Sequence, residues 1–287
     1  MFNDLVLVRI EAAALNPADL AFQSGAPDHV VDSFFPVTPG WDLAGVIEQT
    51  GSATTGFRPG DEVIGFVRDK AMHYGTYAEK ISAEPRQLVR KPRNLSWAQA
   101  AGLPVAGLTA YQAIMHSLEV AAGDNVLVHG AAGGVGHLAV QIAAARGARV
   151  IGTGSEASQT FIESLGATPV RYGDELVEQV RKIAPDGIDA ILDTAGRGSL
   201  ATTHAIAALG ARVATITQSA ADYPGTINVY VHLDGNDLTR LVELTEEGKL
   251  TVHVSRTFPL DRAAQAQQQL AAGHTRGKII LENRTEA

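Results

Sequence analysis

"NVLVHGAAGGVGHLAVQIAAARGARVIGTGS", residues 125–155, decides the fold. "NVLV" is a continuous apolar run, as a strand is when both faces of a parallel sheet are covered. "VGHLAVQIAAAR" has a helical pattern, Gly147 suits its C-terminal cap, and "RVIGTG" is the next strand. Strand, glycine-rich loop, helix and second strand form a βαβ unit of about 30 residues, the context in which such a loop binds a dinucleotide. The strand runs to His129, the loop is Gly130 to Gly136, and the helix starts inside it. Gly133 lets the backbone approach a pyrophosphate, which then rests on the helix N-terminus and its positive dipole. Gly136 lets helix and strand pack closely. Ala131 stands where G-x-G-x-x-G has its first glycine, so the strict fingerprint fails. The plain alternative is a tight turn between buried elements.

Working outward, the unit repeats. "EASQTFIESL" reads as a helix ended by Gly166, and "ELVEQVRKI" as a helix. "GIDAILDT" is a strand, "LATTHAIAAL" a helix and "ARVATI" a strand. This alternation predicts a doubly wound α/β domain with a parallel sheet. Residues 1 to 95 differ: "LVLVRIEAAAL", "GVIEQTG" and "DEVIGFV" are strands, with "FRPGDE" a turn between the last two. Ser96 caps a helix, and Gln99 completes a capping box. The uncharged run Ser96–Leu118 holds Pro104, two glycines and two glutamines, so it reads as helix, break and second helix rather than a membrane span. "DLTRLVELTEEGKL" is a further helix, and "AAQAQQQLAAGHTRGKIILE" a helix, a turn and a closing strand.

The 287 residues suffice for two domains, and 45% apolar residues can build a sizeable core. A net charge of −8 without a long basic run argues against nucleic acid or an anionic membrane as partner. There is no cysteine, which excludes disulfides, thiolate metal sites and cysteine nucleophiles. The N-terminus has no signal pattern, so a cytoplasmic protein is expected.

The end of the second strand bears on which dinucleotide binds. An NAD site has an acidic residue there, bonded to the ribose 2′-hydroxyl. Here the position is Gly154, followed by Ser155, which leaves room for a 2′-phosphate. The loop supplies no cation, and Glu156 is adjacent and repels phosphate if it points inward. NADP is therefore expected over NAD.

Eight segments carry a resemblance over nearly the whole chain: "NPADLAFQSG" (16–25), "PGWDLAGVIEQTG" (39–51), "FRPGDEVIGF" (57–66), "GTYAEK" (75–80), "LPVAGLTAYQA" (103–113), "VLVHGAAGGVG" (126–136), "GIDAILDTAG" (187–196) and "GHTRGKIIL" (273–281). In this order they resemble the medium-chain dehydrogenase/reductase superfamily, in its zinc-free quinone oxidoreductase (zeta-crystallin-like) branch, which itself uses "AAGGVG". The resemblance implies a GroES-like, mostly β catalytic domain (1–98 and 250–287) and a Rossmann doubly wound domain (99–249), with the active site between them. It implies NADPH as hydride donor, quinones or other activated carbonyl or enone acceptors, and a homodimer.

Residue by residue, the resemblance places Asn16 near nicotinamide and substrate; a turn residue before Pro17 is the alternative. Asp19 is a pocket-lining acid, or else a helix N-terminal cap. Thr109 contacts the nicotinamide, or else bonds its own helix. Ala132, Gly133, Gly134, Val135, Gly136, Gly154 and Thr194 line the cofactor. Ser155 and Tyr172 hold the 2′-phosphate, Tyr172 otherwise being a half-buried core aromatic. Lys278 reaches toward the cofactor as the missing cation, or is merely solvated.

Zinc-dependent relatives place a cysteine where this chain has Asn16, and G-H-E where it has Gly40-Trp41-Asp42. None of the nine histidines forms an H-x-x-x-H pair. No zinc is therefore expected, and hydride donation to an already electrophilic acceptor needs none. The proton is expected from water, no side chain being an obvious acid. Ala21 stands where many relatives have a tyrosine, and "GAPDHVVDSFFPVTP" is a longer, more apolar loop. The chain starts where relatives have already run through a hairpin, which means either an edge covered by another element or a shortened form. Two other readings stand beside the main one: an enoyl-thioester or alkenal reductase, and a non-catalytic, crystallin-like NADPH-binding protein. A short-chain dehydrogenase is excluded, since no tyrosine is followed four residues on by lysine.

Overall fold

The computed structural model describes residues 3–25, 32–68, 71, 73–217 and 224–283. In chain order the strands are β1 (Val6–Ala14), β2 (Asp42–Thr50), β3 (Glu62–Phe66), β4 (Lys80–Ala83), β5 (Leu88–Arg90), β6 (Asn125–His129), β7 (Arg149–Gly154), β8 (Thr168–Arg171), β9 (Ile188–Asp193), β10 (Ala207–Thr215), β11 (Thr226–Asn228), β12 (Val254–Pro259) and β13 (Lys278–Glu282). The α-helices are α1 (Pro17–Gln23), α2 (Trp97–Ala101), α3 (Pro104–Gln112), α4 (Gly136–Ala145), α5 (Gln159–Ser164), α6 (Leu176–Ile183), α7 (Thr203–Ile206), α8 (Gly235–Glu246) and α9 (Ala263–Ala272). They form two compact units: Met1–Ala106 with Leu233–Gly248 and Val252–Ala287, and Gly107–His232 with Lys249–Thr251.

The first unit holds a sheet ordered β12-β13-β1-β2-β3-β5, with β4 pairing β1. Most pairs are antiparallel, and β12–β13 is parallel. Alternation in β1 sends Val6, Val8 and Ile10 into a core with Leu43, Ile47, Val63 and Ile81. Full burial of each such side chain contributes about 1.5–3 kcal/mol. Because β13 comes from the far end of the chain, this unit closes only when both ends meet. The expected boundaries shift for two reasons: α8 packs on β5, and the start of α3 gives its Val105 N–H to Asp42 Oδ1 at 2.6 Å.

The second unit is a parallel sheet ordered β11-β10-β9-β6-β7-β8. Numbered from β6, that is the doubly wound order, with its switch point between β6 and β9. Ligands of such sheets bind outside the carboxyl ends of the strands at that point.

Several expectations hold. The Ser96 box is present: Gln99 N–H donates to Ser96 Oγ at 3.2 Å, and Ser96 N–H to Gln99 Oε1 at 3.1 Å. The run after it is α2, a break at Gly102-Leu103 and α3, which continues as a π-helical turn at Ala113–Ser117. Others change. The helix expected over 200–209 ends at Ile206, because Ala207 pairs with Ile188 and starts β10, and Gly210 at φ 79° carries the irregularity that follows. Strands β4, β5, β8, β11 and β12 were not foreseen: they are short, lie at or near sheet edges, and lack strong alternation.

Candidate functional site

The glycine loop runs from the end of β6 to the start of α4, as the sequence indicates. A side chain at Gly136 would collide with Gly130 O, so helix and loop approach closely only with glycine there. Ala131 is fully buried, and its methyl fits because β7 presents Gly152 beneath it. That is how a loop starting with alanine keeps the fold. Gly133 differs: a Cβ there would meet only Gly130 O, at 3.3 Å. That contact is tight, though far milder than the collision at Gly136. Glycine at 133 also keeps the loop backbone open to a pyrophosphate, so the loop fits a dinucleotide. Gly133, Gly134 and Val135 are half-buried and Ala132 is buried.

The switch point is held by two side chains. Thr194 Oγ1 donates to His129 O at 2.6 Å, tying the β9 loop to the glycine loop. Its hydroxyl therefore fixes the backbone that lines the site. Asp193 accepts from Ser199 Oγ at 2.6 Å, from Thr215 and Thr217 hydroxyls, and from the N–H groups of Ala195 and Gly196. Burial opposes its ionisation, but the bonds from Ser199, Gly196, Thr217 and Ala195 outweigh it and hold its carboxyl low. Burial pushes the His129 imidazole down to about 4, so it is neutral at pH 7, and its Nε2 has no partner among the described residues.

At the end of β7, Gly154 is not the open space expected. Ile162 of α5 fills the position a side chain would take. Ser155 Oγ lies 3.1 Å from Ser158 Oγ. Tyr172 is 61% exposed, which removes its reading as a core aromatic, and its N–H donates to Gly154 O at 3.3 Å. Arg171, on β8, pairs in register with Gly154, and its Nε is 3.1 Å from Glu156 Oε2. The sequence reading found no cation here because β8 was not foreseen. Thr109 is buried in α3, in this second unit.

The first unit holds a buried polar network. Asn16 is the N-cap of α1, with Pro17 at the first helical position. Its Nδ2 donates to Asp42 Oδ2 at 2.7 Å, and its Oδ1 accepts from Lys278 Nζ at 2.6 Å. Lys278 also donates to Leu15 O at 2.8 Å and lies 3.8 Å from Asp42 Oδ2. Asp19 Oδ2 accepts from Asn16 N and from Tyr77 Oη, both at 2.8 Å. Asp19 is thus the acid of the helix N-terminal box and only 2% exposed, which is the capping alternative rather than a pocket lining. Lys278 is 3% exposed and fully engaged. It is neither a solvated lysine nor a cation left over for phosphate, because burial directs its ammonium to three acceptors in its own unit.

The electrostatics follow from burial. It raises the Asp19 carboxyl to about 6, against which the Asn16 and Tyr77 bonds work. Burial also pushes Asp42 up and Lys278 down, and the attraction between the two opposes both shifts. Zinc does not fit this donor set. At the positions matching zinc ligands, the Asn16 amide is bonded at both ends, Trp41 offers only a donor N–H, and Asp42 already accepts from Asn16 and Val105. Tyr77 and Arg171 are the residues that sequence reasoning missed. No local pattern signals Tyr77, whose partner lies 58 positions away.

Residues 3–93 match the family profile "Alcohol dehydrogenase GroES-like domain", and residues 165–281 match "Zinc-binding dehydrogenase". The chain is 35% identical to the "NADPH-dependent alkenal/one oxidoreductase, chloroplastic" of Arabidopsis thaliana, over 97% of this chain and 72% of that protein. It is 30% identical to the "Quinone oxidoreductase" of Homo sapiens, over 96% of this chain and 88% of that protein. The solved quinone oxidoreductase of Coxiella burnetii superposes with a TM-score of 0.84 at 30% identity, covering 98% of this chain and 91% of that one.

Proposed function

This chain belongs to the medium-chain dehydrogenase/reductase superfamily, in its quinone oxidoreductase branch, and we propose that it is an NADPH-dependent reductase of quinones and conjugated enones. The observation that carries the reading is the loop at the sheet's switch point, where glycine at 136 lets loop and helix approach closely and glycine at 133 leaves the backbone open to a pyrophosphate. Its relatives named for quinone and alkenal/one reduction support the acceptor class.

When bound, NADPH supplies the hydride. The chain's own residues bind and orient. Backbone N–H groups at 134–136, at the N-terminus of α4, would hold the pyrophosphate, the Gly133 N–H being turned back to Gly130 O at 2.9 Å. Asp193 and Thr194 keep that backbone rigid. In the other unit, the Asp42–Lys278 pair fixes the Asn16 amide, leaving one amide hydrogen to donate to the acceptor oxygen. Asp19 and Tyr77 are positioning residues for α1. Water supplies the proton that completes reduction. We read the enzyme as zinc-free, since the donors at Asn16, Trp41 and Asp42 suit no zinc, and as a cytoplasmic homodimer. No helix among the described residues is long and apolar enough to cross a membrane. The non-catalytic and enoyl-thioester readings are not favoured, because the named relatives are quinone and alkenal/one reductases.

The test is a fluorescence titration with NADPH and NADH, followed by a panel of quinones and enones. Consumption of NADPH on adding acceptor is expected; binding without consumption by any acceptor would defeat the reading. Asn16→Ala should lower turnover at least tenfold, about 1.4 kcal/mol, while NADPH affinity stays within about twofold. Unchanged turnover would remove the role assigned to Asn16.

A further inference from the structure

The ribose end of the dinucleotide site poses a charge problem. A 2′-phosphate needs a cation, yet residues 154–156 supply a glycine, a serine and a glutamate. Lys278, the cation expected from the sequence, is engaged in the first unit. The parallel pairing of β7 with β8 brings another cation. It sets Thr153 beside Val170 and Gly154 beside Arg171, so Arg171 emerges next to Ser155 at the carboxyl end of β7. Its side chain is 63% exposed, and among the described residues its ion pair is with the carboxylate of Glu156, itself 76% exposed. An exposed pair of this kind contributes little to stability and exchanges readily. Ser155, whose Oγ lies 3.1 Å from Ser158 Oγ, follows Gly154 on the paired strand, and the exposed Tyr172 follows Arg171 in sequence.

We propose that Arg171 selects the cofactor: its guanidinium pairs with the 2′-phosphate of the adenosine ribose, and Glu156 competes for the same guanidinium. This rests on the reading of the chain as an NADPH-binding reductase. Arg171 presents a planar fork that matches phosphate oxygens, and the Ser155 and Tyr172 hydroxyls complete the donor set. Glu156 has two opposing consequences. It holds the guanidinium at the right strand end, and it must be displaced by the phosphate, which limits discrimination against NADH. Removing the arginine and removing the glutamate therefore move the preference in opposite directions. A merely structural role for the pair would move both cofactors together.

The experiment is a fluorescence titration of the full chain and its Arg171→Gln and Glu156→Gln variants with NADPH and with NADH, with 2′,5′-ADP as competitor. Arg171→Gln should weaken NADPH and 2′,5′-ADP about 10- to 100-fold, the loss of a charge-assisted phosphate contact, and leave NADH within about twofold. Retained NADH affinity also shows that the variant is folded. Glu156→Gln should tighten NADPH about two- to fivefold without changing NADH. If the unaltered protein prefers NADPH and Arg171→Gln keeps that preference, the assignment is overturned while the reductase reading stands. If the unaltered protein binds neither cofactor, the reductase reading falls and the assignment falls with it.

Discussion

The two regions that carry the proposed chemistry are built by opposite means. The glycine loop works through backbone: no charged side chain lies in residues 130–136, and its shape comes from small residues and one threonine hydroxyl. The network in the first unit works through side chains. Asn16, Asp19, Asp42, Tyr77 and Lys278 join positions 3 to 262 residues apart. A backbone site tolerates the loss of any one polar group but not the addition of bulk. A buried polar network does not tolerate the loss of a partner, and its stability depends on its protonation.

The largest effect should come from breaking the network. Lys278→Met leaves the buried carboxylates of Asp42 and Asp19 without their cation and should cost about 3–5 kcal/mol of stability. Denaturant unfolding measures it, and adding Asp42→Asn should recover part of the loss. Equal stability of the single variant would mean that the lysine is dispensable to the network.

The next effect is one of pH. Asp19, faced by Tyr77, Asn16, Asp42 and Lys278, has its folded value raised from 3.8 to about 6. Below about pH 4 it is protonated in both folded and unfolded chains, and stability is unaffected. Between about 4 and 6 the folded chain holds a proton that the unfolded chain releases, so stability falls as pH rises. The full penalty, about 3 kcal/mol, stands above pH 6. Asp19→Asn should remove this part of the slope; a slope unchanged from the parent would contradict the assignment to Asp19.

The smallest effect on folding should come from filling the loop. Gly133→Ala sets its Cβ 3.3 Å from Gly130 O, a contact that a small shift of the loop relieves, and should lower the melting temperature only slightly. It should still weaken NADPH and NADH alike by about 10- to 100-fold, 1.4 kcal/mol per factor of ten. A variant that melts early would show that packing, not a ligand, requires the glycine.

How far the sequence could be read divides along the same line. The βαβ unit at 125–155, the alternating elements after it and the Ser96 box depend on neighbours within a few residues, and all were legible. The place of Gly154 was legible, but its surroundings were not, since Ile162 returns from the next helix to fill them. Lys278 was singled out as a cation but assigned the wrong company, because its partners Leu15, Asn16 and Asp42 lie at the other end of the chain. Arg171 went unnoticed because "TPVR" is too short to announce a strand, and only the pairing of β8 with β7 places it beside Ser155. The loop "GAPDHVVDSFFPVTP" stands out in the sequence as longer and more apolar than in relatives; residues 26–31 of it lie outside the described residues.

The central claim is that a hydride passes directly from the bound dinucleotide to an electrophilic acceptor. The most direct test uses NADPH labelled with deuterium at the transferable position of the nicotinamide, with a conjugated enone as acceptor and mass spectrometry of the product. Direct transfer predicts one deuterium on the β-carbon of the reduced product, with the second hydrogen drawn from solvent. A reduced product without the label, or labelled NADPH left unconsumed in the presence of every acceptor, would contradict it.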